Sequence, residues 1–245
     1  MMAPHSVVST RLILLGALSN LASSYTWPDE KIDLLEGFFY EQDGNFSSPV
    51  GSMASGVFPC GHFLVPFTQT GRSDSAEWLR TAYHDMATAD VDQGTGGIDA
   101  SIAFETTRPE NIGAAFNESL SFFADFHTPR SSMSDLIAMG AILAVEACSN
   151  GAVSIPYKVG RVDVTEAGPP GVPRPEQNLT EHILSFKKQG FTSKEMIGLV
   201  ACGHTIGGVH GDNFPDIVPP PKVVDMVLNM ITVPDTMIQI LMSGI

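Results

Sequence analysis

Basic residues are scarce in this chain of 245 residues: 13 Lys and Arg stand against 27 Asp and Glu, giving a formal net charge of −14 at pH 7 with His neutral. A surface of that sign repels phosphate backbones and anionic headgroups, so neither nucleic acid nor membrane is an expected partner. Cysteine is sparse as well. Three are present, which allows one bridge and leaves one residue over. No apolar run is long enough to span a bilayer. No stretch alternates apolar and polar residues for long enough to suggest a sheet, and the chain carries neither an internal repeat nor a low-complexity tract.

What remains is helical in pattern. The length permits one large core, or two helical lobes packed as a single domain. Apolar spacing predicts helices over 27–40, 73–86 and 134–148, the last capped by Ser132 or Ser134. Thr192-Ser193-Lys194-Glu195 is a capping box and opens a further helix that ends near the glycines flanking His204. At the N-terminus Arg11 precedes an apolar run over 12–21 and then Ala22-Ser23-Ser24. That is the layout of a secretory signal peptide, assigned to 1–24, and it predicts a secreted, extracellular protein. Sequons at Asn45, Asn117 and Asn178 are compatible with glycosylation on that route. Cys60 lies in a Pro-Cys-Gly turn and Cys148 ends a predicted helix, so these two are candidates to pair, with Cys202 left as a small packing residue.

Chemistry concentrates in two places. In Glu77-Trp78-Leu79-Arg80-Thr81-Ala82-Tyr83-His84-Asp85, Arg80 and His84 stand four residues apart, and on a helix they project from one face. A permanent cation beside a base that titrates near neutrality suits peroxide chemistry. Heterolysis of an O–O bond needs one group to move a proton and another to hold developing negative charge. Downstream, Cys202-Gly203-His204-Thr205-Ile206-Gly207 offers a second His as a metal ligand.

On these motifs the chain resembles the secreted haem peroxidases of the plant, fungal and bacterial haem peroxidase superfamily, most closely the fungal ones. The resemblance runs from about Trp27 to about Val218. It implies a mainly α, haem peroxidase fold with two helical lobes sandwiching haem b, a domain over 25–218 and a divergent tail over 219–245. It also implies roles. Arg80 and His84 would be the distal pair, Asn111 would accept from the ring of His84, and His204 would be the proximal iron ligand. Glu105 sits where relatives place a carboxylate continuing the network from Asn111. Asp85, Gly97, Asp99 and Ser101 would hold a distal calcium, and Thr205 is matched for a second, proximal one. Residues 157–175 look like the segment along the haem edge, with Arg161 and Asp163 expected as a structural pair.

The activity so implied is reduction of hydrogen peroxide with one-electron oxidation of small, phenolic donors by a monomer. Leu199 stands where lignin-type relatives carry a radical-forming Trp, and Tyr83 where the intracellular branch has Trp. From about Pro219 the resemblance fades, which predicts an incomplete proximal lobe. The Asp that should accept the imidazole proton of His204 is then missing, with Asp212, Asp225 and Asp235 as unmotivated substitutes. The alternative is a non-catalytic, peroxidase-like secreted glycoprotein that does not bind haem productively.

Overall fold

A computed structural model of the chain describes residues 26–40, 60, 72–216, 218–220 and 223–225. The expected signal segment, the sequon at Asn45 and most of the tail, Asp235 included, lie outside those residues. The described residues are helical as expected: α1 (Asp29–Tyr40), α2 (Asp74–Met86), α3 (Ala115–Ala124), α4 (Met133–Cys148), α5 (Leu179–Lys188) and α6 (Ser193–Gly203), followed by short strands β1 (Gly208–His210) and β2 (Val223–Asp225). The strands pair antiparallel, with Val209 opposite Val224. At three residues each they are too short to leave an alternating signature in the sequence.

Caps fix where the helices begin. Ser73 is extended and its hydroxyl accepts from Ala76 N–H at 3.3 Å, while Asp74 and Glu77 place negative charge in the first turn of α2. Ser132 caps α4 by accepting from Asp135 N–H at 3.2 Å, which leaves Ser134 inside the helix. The capping box expected at Thr192 opens α6, and a second one, Asn178 with Glu181, opens α5. Helix α3 begins at Ala114 without any side-chain cap, so its start has no signal in the sequence.

Helix α4 is the centre of the fold. Leu136, Ile137, Ala138, Ala141 and Ala144 are fully buried, and α1, α2 and α3 all pack on it. Its small residues allow close approach: a Cβ on Gly140 would lie 2.9 Å from Phe123 Cε1 and 3.2 Å from Trp78 Cε3. Around that contact Phe39, Trp78, Phe122, Phe123 and Phe126 form one aromatic cluster, with Phe39 and Phe126 ring centroids 5.0 Å apart and Trp78 and Phe122 4.9 Å apart. Each such side chain contributes roughly 2–3 kcal/mol by leaving water, and this cluster fixes the roll of α2 about its axis.

Cys60 and Cys148 form the disulfide, tying residue 60 to the end of α4, and Cys202 is buried. The expected pairing of Arg161 with Asp163 is not what the structure contains. Arg161 Nη1 meets Asp135 Oδ1 at 2.9 Å, and Asp163 accepts from Met133 N–H and Ser134 N–H, both at 2.8 Å, and from Ser134 Oγ at 2.7 Å. The reason is local: the first turn of α4 presents N–H groups with no helical acceptor, and a carboxylate there satisfies two at once. Both residues therefore fasten the extended segment 157–163 to the head of α4.

Candidate active site

The core contacts of Trp78, Thr81 and Ala82 set the orientation of α2, and Arg80 and His84 follow from it. His84 is 8% exposed, and its Nδ1 lies 2.7 Å from Asn111 Oδ1. An amide oxygen carries no proton, so Nδ1–H is the donor and the lone pair of the tautomer sits on Nε2. Burial, and after it the charge of Arg80, push the imidazole down to about 3 against the opposing pull of Asn111, so His84 is a neutral base at ordinary pH.

Arg80 lies over the ring of Phe116, its guanidinium carbon 4.5 Å from the centroid, and the same ring is 4.8 Å from that of His84. Phe116, from α3 and 1% exposed, is thus the wall that both distal side chains share. Burial lowers Arg80 to about 10, with Glu77 acting in the other direction; the cation persists at neutral pH. Among the described residues no carboxylate lies within salt-bridge distance of Arg80. Glu77 is instead bonded to Arg72, which also grips Glu118 of α3 at 2.6 Å. Burial raises Glu77 to about 7 even so, because one guanidinium is divided between two carboxylates.

Asn111 is positioned by a short 3-10 turn, Pro109–Asn111, and its Nδ2 donates to the backbone carbonyl of Glu105 at 2.9 Å. The network expected through the Glu105 carboxylate therefore runs through its main chain. The carboxylate, 1% exposed, accepts from Gly168 N–H at 2.7 Å and pairs with Arg108 at 3.0 Å. A side chain that must satisfy a buried charge goes to a cation and an N–H, and the neutral amide takes the neutral acceptor.

The four residues expected around calcium belong to one knot. Asp85, fully buried, accepts from Asp99 N–H, Ala100 N–H and Ile102 N–H at 3.1, 2.8 and 2.9 Å, with Ser101 Oγ at 3.4 Å, and Gly97 N–H donates to Thr88 Oγ1 at 3.3 Å. Burial pushes the Asp85 carboxyl up to about 7, partly offset by the Ile102 and Ala100 bonds. Among the described residues no three His, Cys, Asp or Glu side chains converge as a metal site. The expected set holds only two carboxylates, completed by a hydroxyl and a backbone carbonyl.

His204 is the C-cap of α6 and is exposed, and its ring makes no hydrogen bond among the described residues. Thr205 is buried, its hydroxyl donating to Cys202 O at 2.6 Å. Beyond His204 the chain turns back towards α2. A Cβ on Gly207 would lie 2.7 Å from that of Ala76, and one on Gly113 would lie 3.4 Å from Arg80 Nη1 and 3.6 Å from Asn213 Nδ2. The two motifs, distant in sequence, thus meet at α2. Of the substitutes for a proton acceptor, Asp212 is exposed and Asp225 lies in β2 opposite Gly208.

The comparison with known families decides what this arrangement belongs to. The family model described as Peroxidase matches residues 63–230. This chain belongs to the peroxidase family. A WSC domain-containing protein of Arthroderma benhamiae is 45% identical over 208 residues, covering 83% of this chain and 27% of that protein. Putative L-ascorbate peroxidase 6 of Arabidopsis thaliana is 34% identical, over 56% of this chain and 42% of its own length. A putative heme-binding peroxidase of Aspergillus fumigatus is 28% identical, over 55% and 43% respectively. The chain thus spans from about a quarter to under half of the length of these relatives. Sequence reasoning missed Phe116, Arg72 and Glu118 in this site. None carries a motif, and only the fold brings Phe116 to Arg80 and gathers Arg72 and Glu118 at Glu77.

Proposed function

We propose that this chain is a haem-dependent peroxidase that reduces hydrogen peroxide and oxidises small, phenolic donors in one-electron steps. The observation that carries the reading is the distal set: a neutral, buried His84 fixed through Nδ1, with a half-buried cation one turn away that no carboxylate contacts among the described residues. The donor set suits haem. His204 offers a ring with no competing bond among the described residues, and Nε2 of His84 is likewise unengaged. His204 would hold the iron, and bound haem would supply the redox centre at which peroxide is cleaved. His84 Nε2 takes the proton from the nearer peroxide oxygen and delivers it to the departing one. Arg80 holds the charge that develops on that oxygen, and Phe116 keeps water from both. Asn111 keeps the proton on Nδ1 throughout, so the base is presented in one tautomer.

The test is an absorption spectrum of the purified 245-residue chain after addition of haemin, repeated with one equivalent of hydrogen peroxide. A sharp haem band that shifts on peroxide addition supports the reading. A broad band like that of free haemin, unmoved by peroxide, overturns it. The second reading, a peroxidase-like protein that binds no haem productively, is favoured by one observation: His204 is exposed and has no proton acceptor among the described residues.

Around this centre we place a calcium ion on Asp85, Gly97, Asp99 and Ser101, and a second one using Thr205. We also place the protein outside the cell, on the strength of the N-terminal pattern and the sequons, and propose that it acts as a monomer. Asn178 is exposed and caps α5 through Oδ1, 3.1 Å from Glu181 N–H, so a glycan on Nδ2 would leave the cap intact. Mass analysis of protein from a eukaryotic secretory host tests both the cleavage after residue 24 and that glycan.

A further inference from the structure

The carboxylate of Glu105 and the guanidinium of Arg108 together hold the backbone N–H and C=O of one residue, Gly168. Glu105 Oε1 accepts from Gly168 N–H at 2.7 Å, Arg108 Nη2 donates to Gly168 O at 2.5 Å, and the two side chains join through Arg108 Nη1 and Glu105 Oε2 at 3.0 Å. Gly168 is closely enclosed: a Cβ there would lie 3.0 Å from Thr88 Cγ2, 3.1 Å from Ser101 Oγ and 3.2 Å from Glu105 Oε1, so these side chains would have to give way by a few tenths of an ångström. The same two residues also close the turn that carries Asn111. The carbonyl of Glu105 accepts from Arg108 N–H at 2.9 Å and from Asn111 Nδ2 at 2.9 Å, and Asn111 N–H returns to Arg108 O at 2.9 Å.

One short turn therefore has two ends of consequence. At one end its Asn fixes the ring of His84; at the other its Glu and Arg grip Gly168, sixty-odd residues further along the chain. We infer that Arg108 is a positioning residue for His84, acting through Glu105 and Asn111, and that the 168 loop and the orientation of the distal base are set together. A bidentate guanidinium is needed because a carboxylate and a carbonyl must be satisfied in one plane. Without it, Glu105 is a buried charge bonded to a single N–H, and the turn gains a reason to open. Gly168 O loses its donor at the same time.

This inference rests on His84 being the base, and it can be tested without haem. In the haem-free chain labelled with 15N, the ring nitrogens of His84 report which tautomer is present, and amide exchange reports the grip on Gly168. For the unsubstituted chain we expect the Nδ1–H tautomer and a protected Gly168 amide. In Arg108→Met we expect the two ring nitrogen signals to move towards the average of both tautomers and the Gly168 amide to exchange at least about tenfold faster. The amides of Met133 and Ser134, held by Asp163, should keep their protection and so report that the fold is intact. Arg108→Lys should restore the tautomer in part, since an ammonium answers the charge of Glu105 but not both acceptors. Gly168→Ala, which disturbs the loop and leaves every charge in place, should shift the ring signals in the same direction.

A loop that loses protection while His84 keeps one tautomer in both the Arg108→Met and Gly168→Ala chains would overturn the inference, because the clamp would then serve the loop alone. Unchanged exchange at Gly168 in Arg108→Met would overturn it as well. Failure of the haemin test with these results intact would instead count against the peroxidase reading and leave the coupling standing.

Discussion

At the scale of single residues, the proposed site depends on keeping a base neutral and a cation unneutralised against one aromatic ring, that of Phe116. His84→Ala should slow the reaction of the haem-loaded chain with peroxide by about 10²–10⁴-fold, measured by stopped-flow absorption, because it removes the group that relays the proton. An unchanged rate would mean that another residue carries it. Glu77 gives a different, pH-linked expectation. Its folded value of about 7 lies above the ordinary 4.5, so between those pH values the folded chain binds more protons than the unfolded chain. The stability linked to Glu77 is then fully present below about pH 4.5 and is lost as pH rises through 7, by roughly 3 kcal/mol at most. Urea unfolding of the chain and of Glu77→Gln across pH 4–8 should diverge over that window and run parallel above it. A constant difference would show that Arg72 keeps Glu77 ionised throughout.

Among elements, the decisive piece is the head of α4, where Asp163 satisfies Met133 and Ser134. Asp163→Ala should cost on the order of 1–3 kcal/mol in urea unfolding, since it leaves two N–H groups of a buried helix terminus without a partner. The proposed calcium site at Asp85 gives a further element-scale expectation. Removing calcium with a chelator should lower the melting temperature, and restoring it at a hundredfold above its Kd should return about 2.7 kcal/mol. An identical melting curve in both conditions would exclude a structural calcium. The sequence conveyed these elements unevenly. Helix α2 was legible because Arg80, His84 and Asp85 repeat a spacing that chemistry requires, and α4 and α6 because Ser132 and Thr192 announce their starts. Helix α3 was not, for want of a cap, and with it went Phe116. Arg161 and Asp163 are neighbours in sequence, and proximity suggested a pair; the unsatisfied N–H groups of α4 outweighed it. Glu105 was read by its charge, whereas Asn111 needed only its carbonyl.

For the whole molecule, the Cys60–Cys148 bond closes a separation of 88 residues that includes α2, α3 and α4. Reduction should therefore lower the free energy of unfolding by about 2–4 kcal/mol, read from urea curves with and without reductant. No change would mean that the helices alone confine this part of the chain. A last consequence concerns α6. Its start is pinned at Thr192 by a reciprocal cap, and His204 leaves from its other end, so the eleven residues between act as a shaft with a fixed handle. Inserting or deleting one residue within it would swing His204 about the axis by ~100° and shift it by ~1.5 Å, carrying the ring away from its present bearing. The chain can alter what surrounds that helix far more freely than it can alter the number of residues inside it.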